Sequence, residues 1–174
     1  LRVISLLSAA TEIVHRLGCS HVLVARSHGC DDPPLATALP VATAANVDPE
    51  QPSRDLDASV RKLASSGGAI YSIRSELVQS LNPDVIITQE QCRICAVTPE
   101  DVKEAVKPEA CTRLLTIKPA TLEDVFNDVL CIAEALHVRE RGERLVSMMR
   151  HRLSSVSAIT SQCVPPATDM KRVV

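Results

Sequence analysis

The sequence predicts an α/β fold: a mostly parallel sheet of about four strands flanked by helices, followed by one long helix. Three observations predict it. Short apolar runs alternate with amphipathic stretches along the chain, the order expected of βαβ units. Apolar residues make up 45% of the 174 residues, yet there is one Phe, one Tyr and no Trp. The core is therefore built from Leu, Val, Ile and Ala, which suits strands covered by helices on both faces. Finally, helix-start signals sit directly after several of the apolar runs.

Val3-Ile4-Ser5-Leu6-Leu7 reads as the first buried strand. Ser8 is placed to cap a helix with Ile13, Val14 and Leu17 on one face, and Gly18 ends it. The run His21–Ala25 is a second strand, and Arg26-Ser27-His28-Gly29-Cys30-Asp31-Asp32-Pro33-Pro34 is the loop that leaves it. Residues 43–54, with Asp48-Pro49 and Gln51-Pro52, read as another loop. A helix over Asp55–Ser65 carries Leu56, Val60 and Leu63 on one side and stops at Gly67-Gly68.

Ala69-Ile70-Tyr71 is a short apolar segment, after which Ser72 is placed to cap a helix with Leu77, Val78 and Leu81 inward. Asn82-Pro83 stops that helix, and Val85-Ile86-Ile87-Thr88 is the clearest strand after the first. Thr98-Pro99-Glu100-Asp101 and Thr121-Leu122-Glu123-Asp124 both have a hydroxyl at the cap and an acid three residues on, a strong pair of helix starts. Leu114–Ile117 is the strand between them. The pattern Leu145, Met148, Met149, Leu153, Val156, Ile159 predicts a long helix over 138–161, about 36 Å at ~1.5 Å per residue. Val164-Pro165-Pro166 breaks it. This divides the chain into a lobe over 1–137, a connecting helix over 138–162, and a segment 163–174 that reads as the start of a second lobe.

The net charge of −2 gives no basic field for nucleic acid or an anionic membrane. No apolar run approaches the roughly 18–20 residues of a membrane span, so no membrane insertion is expected. Seven cysteines, an odd number without the spacing of a small disulfide scaffold, favour a reducing compartment, cytoplasmic or organellar. An extracytoplasmic location stays open if a leader has been removed. There is no P-loop, no G-x-S-x-G and no H-E-x-x-H, and the chain is not expected to be an enzyme.

Three blocks carry a resemblance. Val3-Ile4-Ser5-Leu6-Leu7-Ser8-Ala9-Ala10-Thr11-Glu12-Ile13, then Val24–Pro34 with Ser27, His28, Asp31, Pro33 and Pro34 in order, then Leu81-Asn82-Pro83-Asp84-Val85-Ile86-Ile87, resemble the helical-backbone (class III) periplasmic substrate-binding proteins. Thr88-Gln89-Glu90-Gln91-Cys92-Arg93-Ile94-Cys95-Ala96-Val97 is most similar to a subgroup of the cobalamin-binding branch. The resemblance runs from about Leu1 to about Thr160. It implies Rossmann-like lobes joined by a long helix, a ligand held between lobes, and delivery to an ABC permease. It also implies that this chain holds the first lobe and the connecting helix. The partners it implies are cobalamin or a related corrinoid or metal chelate, and the permease.

Ligands of a parallel sheet meet the loops at the strands' carboxyl ends. The candidate ligand-binding residues are accordingly Ser8, Ala9, Thr11, Ser27, His28, Tyr71, Gln89 and Glu90. Ser8–Thr11 serve equally well as helix cap and as ligand contact, because a helix N-terminus offers free N–H groups. His28 reads either as an axial ligand to cobalt or as a loop histidine bonded to its neighbours. Asp31 is a turn-former. Cys92 and Cys95 form a C-x-x-C with three readings: a redox pair, half of a zinc site completed by His28 and Cys30, or structural packing. By the resemblance Glu100 is an acid that docks onto transporter arginines. An acid in the first turn of a helix is also favoured by the dipole alone.

Overall fold

The computed structural model describes residues 1–90, 97–106 and 111–163. Cys92 and Cys95, and the terminal segment from residue 164, lie outside the described residues. The apolar runs form β1 (Val3–Ser5), β2 (Leu23–Arg26), β5 (Val85–Gln89) and β6 (Arg113–Ile117), joined in one parallel sheet of order β2-β1-β5-β6. β1 pairs with β5 in plain register, Val3 to Val85 and Ile4 to Ile86, and with β2 through a one-residue irregularity after Val3. β3 (Thr43–Ala45) and β4 (Tyr71–Ile73) form a separate antiparallel ribbon.

The helices are α1 (Ser8–Arg16), α2 (Ser53–Ser65), α3 (Ser75–Leu81), α4 (Pro99–Ala105), α5 (Leu122–Ala135) and α6 (Arg139–Cys163). Alternate strand residues point to opposite faces, so the sheet carries two cores. Val3, Val85 and Ile87 pack with Val14 and Leu17 of α1 and with Phe126, Val129 and Ile132 of α5. Ile4 and Ile86 pack on the other face with Val78 of α3 and Val102 of α4. α6 is 25 residues long, about 37 Å. Its first half lies against α5, with Leu145 and Val146 in the core, while residues 151–160 are all exposed.

Both capping boxes form. Thr98 and Thr121 accept from the N–H groups of Asp101 and Asp124, and each aspartate accepts the N–H of its cap residue in return. Two other expected caps do not form. Ser8 is the first residue of α1, not its cap, and its hydroxyl donates 2.5 Å to the Gly29 carbonyl. Ser72 lies within β4, and its hydroxyl donates to Asn46 Oδ1 at 2.9 Å. In both cases a tertiary acceptor outcompetes the local helix end. The first strand stops at Ser5, two residues short of its apolar run: the Leu6 N–H keeps one last bond to the Ile87 carbonyl, and Leu7 is already the cap of α1. The expected loop at 43–54 opens with β3, three residues long. Gly18 (φ +71°) and Asn82 (φ 41°) take the left-handed conformation that ends α1 and α3.

Asp128 on α5 is half-buried, with Oδ2 shielded from water and without a partner among the described residues. Burial, and then the charge of Asp124 one turn away, hold its carboxyl above the usual range. A raised carboxylate pKa disfavours the charged form in the folded state. Its contribution is therefore most favourable in acid and is lost as pH rises through the folded-state value. Asp128→Asn should raise the urea midpoint near neutral pH and leave it unchanged below the carboxylate range. Equal gains at both pH values would show that the charge is not the cause.

Candidate functional site

β1 and β2 end side by side, and the loops that leave them meet the β3–β4 ribbon. A pocket of about 130 Å³ lies there, lined by Leu6, Leu7 and Ser8 after β1, by Ser27, His28 and Gly29 after β2, and by Thr43, Tyr71 and Val97. It stands off the carboxyl ends of parallel strands, near the point where the strand order reverses from β2 on one side of β1 to β5 on the other. A shallower groove of about 660 Å³ adjoins it, shares His28 and Thr43, and runs along β3 toward Asp48 and Arg74.

The β2 loop is braced from within. Arg26 donates to the carbonyls of Ser27 (3.0 Å), His28 (3.4 Å) and Thr37 (3.3 Å). Beneath it Thr11 is fully buried, its hydroxyl within 2.8 Å of Ser5 Oγ and 3.1 Å of Cys30 Sγ. Thr43 Oγ1 is 3.0 Å from the His28 N–H, 2.7 Å from His28 Nδ1 and 3.2 Å from Ser27 Oγ. The His28 and Tyr71 rings lie with centroids 4.9 Å apart, tilted by 36°. Burial, and second the Arg26 guanidinium, push the His28 pKa below its ordinary value, so the imidazole is neutral at neutral pH.

Of the expected ligand-binding residues, Ser8, Ser27, His28 and Tyr71 converge on this pocket. Thr11 lies below it in the core and bears on it through the Leu7 carbonyl, 3.2 Å from its hydroxyl. Ala9 is exposed on the far side of the α1 turn and lines a separate groove between α1, α5 and α6. Gln89 ends β5. Glu90 bonds through its N–H to Ile117 and pairs with Lys118 at 4.0 Å, so both stand at the next strand end rather than on the pocket wall. Glu100 is exposed in the first turn of α4. Cys30 is fully buried with Thr11 against its sulfur, and no group of three or more metal-ligating side chains forms among the described residues.

Thr43 is the residue that sequence reasoning missed. It sits in a stretch of small residues, Ala42-Thr43-Ala44-Ala45, too short for a period-2 pattern to show.

No protein-family model matches the sequence, and no curated protein matches it. Solved structures do. A periplasmic haem-binding protein, RhuT, from Roseiflexus sp. RS-1 superposes with a TM-score of 0.65 at 21% identity, over 95% of this chain and 52% of that one. A periplasmic haem-binding protein from Pseudomonas aeruginosa gives 0.64 at 22%, over 94% and 49%. The periplasmic vitamin B12-binding protein BtuF of Vibrio cholerae gives 0.63 at 21%, over 92% and 51%. The chain spans about half the length of the solved structures it matches. Over that half, it shares its fold with periplasmic haem- and vitamin B12-binding proteins.

Proposed function

We propose that this chain is a substrate-binding module for a tetrapyrrole metal chelate, cobalamin or a related compound, delivered to an ABC-type importer. One observation carries the reading: His28 and Tyr71 stand together at the mouth of a pocket off the carboxyl ends of the parallel strands. Size decides how a ligand would sit. Pockets that enclose a small molecule are on the order of 300–1,000 Å³, so the pocket of about 130 Å³ takes one substituent. The macrocycle then lies outside, over the adjoining groove and against the ring pair. The neutral imidazole and the Ser8 and Ser27 hydroxyls are suited to a neutral or amide side arm. Glu100, exposed at the start of α4, is the proposed contact to permease arginines.

Titrating the full-length protein with cobalamin and with ferric protoporphyrin IX, followed by visible absorbance, tests the reading. Saturable binding of either at micromolar concentration is expected. Saturation by neither overturns the reading.

A second reading has its own observation. The groove between α1, α5 and α6 has a volume of about 630 Å³ and is lined by Ile13, Val125, Phe126, Met149 and Leu153 among others. Leu122, Met148, Val156 and Ile159 stand at or beyond its edge with half or more of their surface exposed. Apolar surface this continuous marks a protein contact, and supports a lobe that serves as an interaction subunit. Among the described residues no helix is long and apolar enough to cross a membrane.

A further inference from the structure

Residues 46–70, between β3 and β4, close on themselves. α2 is 13 residues long and buries none of them, whereas α1, α3, α4, α5 and α6 each place side chains in the core. Its apolar residues Leu56, Val60 and Leu63 share one face and are only half-buried. Leu63 folds back over the turn that ends its own helix. Its side chain lies so close to Gly68 that a Cβ there would have to displace it, and its carbonyl accepts the Gly68 N–H at 2.9 Å. Among the described residues, the hydrogen bonds and ion pairs of residues 47–69 all end within 46–70. Gln51 donates to the Asp48 carbonyl (2.9 Å), Ser59 to Gln51 Oε1 (3.1 Å), and Arg61 pairs with Asp57 (2.9 Å).

At its base this unit is clipped by one residue. The Asn46 N–H donates to the Ile70 carbonyl at 2.8 Å, Nδ2 donates to the Ala69 carbonyl at 2.8 Å, and Oδ1 accepts the Ser72 hydroxyl at 2.9 Å. A carbonyl only accepts, so the Ala69 contact settles which way the amide faces. Asn46 is exposed, and water competes for its bonds. In contrast, Val3, Ile4, Ile86 and Ile87 of β1 and β5 are at most 3% exposed. Segments with few buried apolar side chains and water-exposed hydrogen bonds open at lower free energy than the core.

We propose that residues 46–70 are a flap that opens as one unit while the parallel sheet stays folded, with Asn46 as its latch. The flap supplies Asn46, Val47, Asp48 and Pro49 to the groove beside the candidate pocket, and His28, Thr43 and Arg74 of that lining lie outside it. Opening therefore reshapes the groove and leaves Ser8, Ser27 and His28 of the pocket in place. A ligand too large for the pocket meets a wall that can yield. The inference goes beyond the tetrapyrrole reading, and its test uses no ligand, so the two stand or fall separately.

Native-state hydrogen exchange of the full-length protein, followed residue by residue in NMR spectra at rising urea below the unfolding transition, is the test. The amides of α2 and of Asn46 are expected to exchange together, with protection at least about tenfold below that of β1 and β5 and a weaker dependence on urea. Asn46→Ala is expected to speed exchange in α2 about three- to tenfold and to leave β1 and β5 unchanged. Ser72→Ala removes one of the latch bonds and should give a smaller rise in the same amides, which keeps the latch testable should Asn46→Ala not fold. If α2 shows the protection and urea slope of β1 and β5, the lobe opens only as a whole and there is no flap. If α2 exchanges fast while the Asn46 N–H keeps core protection, the helix frays alone and the proposal falls. If the variants leave α2 unchanged, or speed the core amides equally, Asn46 is not a latch.

Discussion

Phe126→Ala should lower the unfolding free energy by about 3 kcal/mol, the low end of the 3–5 kcal/mol found for buried aromatics. Phe126 is the chain's one phenylalanine and is 4% exposed, packed with the residues of α1 and β5 on the inner face of α5. Its ring also carries the Arg150 guanidinium, 5.0 Å from the centroid, and Arg150 is paired with Glu123. Truncation therefore removes a core ring and a cation–π contact worth up to about 1 kcal/mol at an exposed site. The low end is expected because Phe126 also lines the open groove of about 630 Å³. A cavity that opens to solvent can fill with water or collapse, unlike a sealed one. Domains are typically stable by about 5–15 kcal/mol, so the variant should show a clearly lower urea midpoint with an unchanged slope. A loss below about 1 kcal/mol would mean that the α5 face is not a packed core.

The two capping boxes were legible because the interaction is local. A hydroxyl and an acid three residues apart satisfy each other's backbone wherever the helix goes. The same logic failed at Ser8 and Ser72, whose hydroxyls reach Gly29 and Asn46, 21 and 26 residues away in sequence. Nothing in the local pattern reveals such an acceptor. The sheet strands β1 and β5 were legible because both faces are buried and their residues form nearly continuous apolar runs, interrupted only by Ser5 and by the closing Thr88 and Gln89. β3 was not. It owes its existence to pairing with β4, Thr43 with Ile73 and Ala45 with Tyr71, rather than to its own side chains.

That pairing also explains how much of the candidate site could be read. The strand-end rule named Ser8, Ser27 and His28 without any knowledge of contacts; Tyr71 was named as the end of a sheet strand but opens β4 of the antiparallel ribbon, and reaches the pocket from there. The rule said nothing of Thr43, whose hydroxyl joins His28 to Ser27, because no strand was expected at β3. It also named Gln89 and Glu90, which obey the rule but end a neighbouring strand, with Glu90 engaged at the edge by Ile117 and Lys118.

Gly142→Val should destabilise the protein by about 1–3 kcal/mol through overpacking, although glycine inside a helix is itself unfavourable. Gly142 lies four residues into α6, where that helix meets α5. A Cβ placed there would come within 2.5 Å of Ala133 Cβ, 3.6 Å of Leu130 Cδ2 and 3.7 Å of the Val129 carbonyl oxygen. The first contact is impossible without movement, and Ala133 has no rotamer to yield with. The helices must therefore separate, which disturbs Leu145 and Val146 in the core and the bond from Arg141 to the Leu17 carbonyl at 3.1 Å. Alanine at 142 gains about 0.5–1 kcal/mol of helix preference over glycine but meets the same Cβ, so its net effect should be smaller than that of valine. The pair Ala133→Gly with Gly142→Ala exchanges the methyl group across the interface. It should be more stable than the sum of the two single changes predicts, with a coupling energy of about 0.5–3 kcal/mol. Urea midpoints of the four proteins measure it. Additive values would show that α5 and α6 do not cross at Gly142 and Ala133.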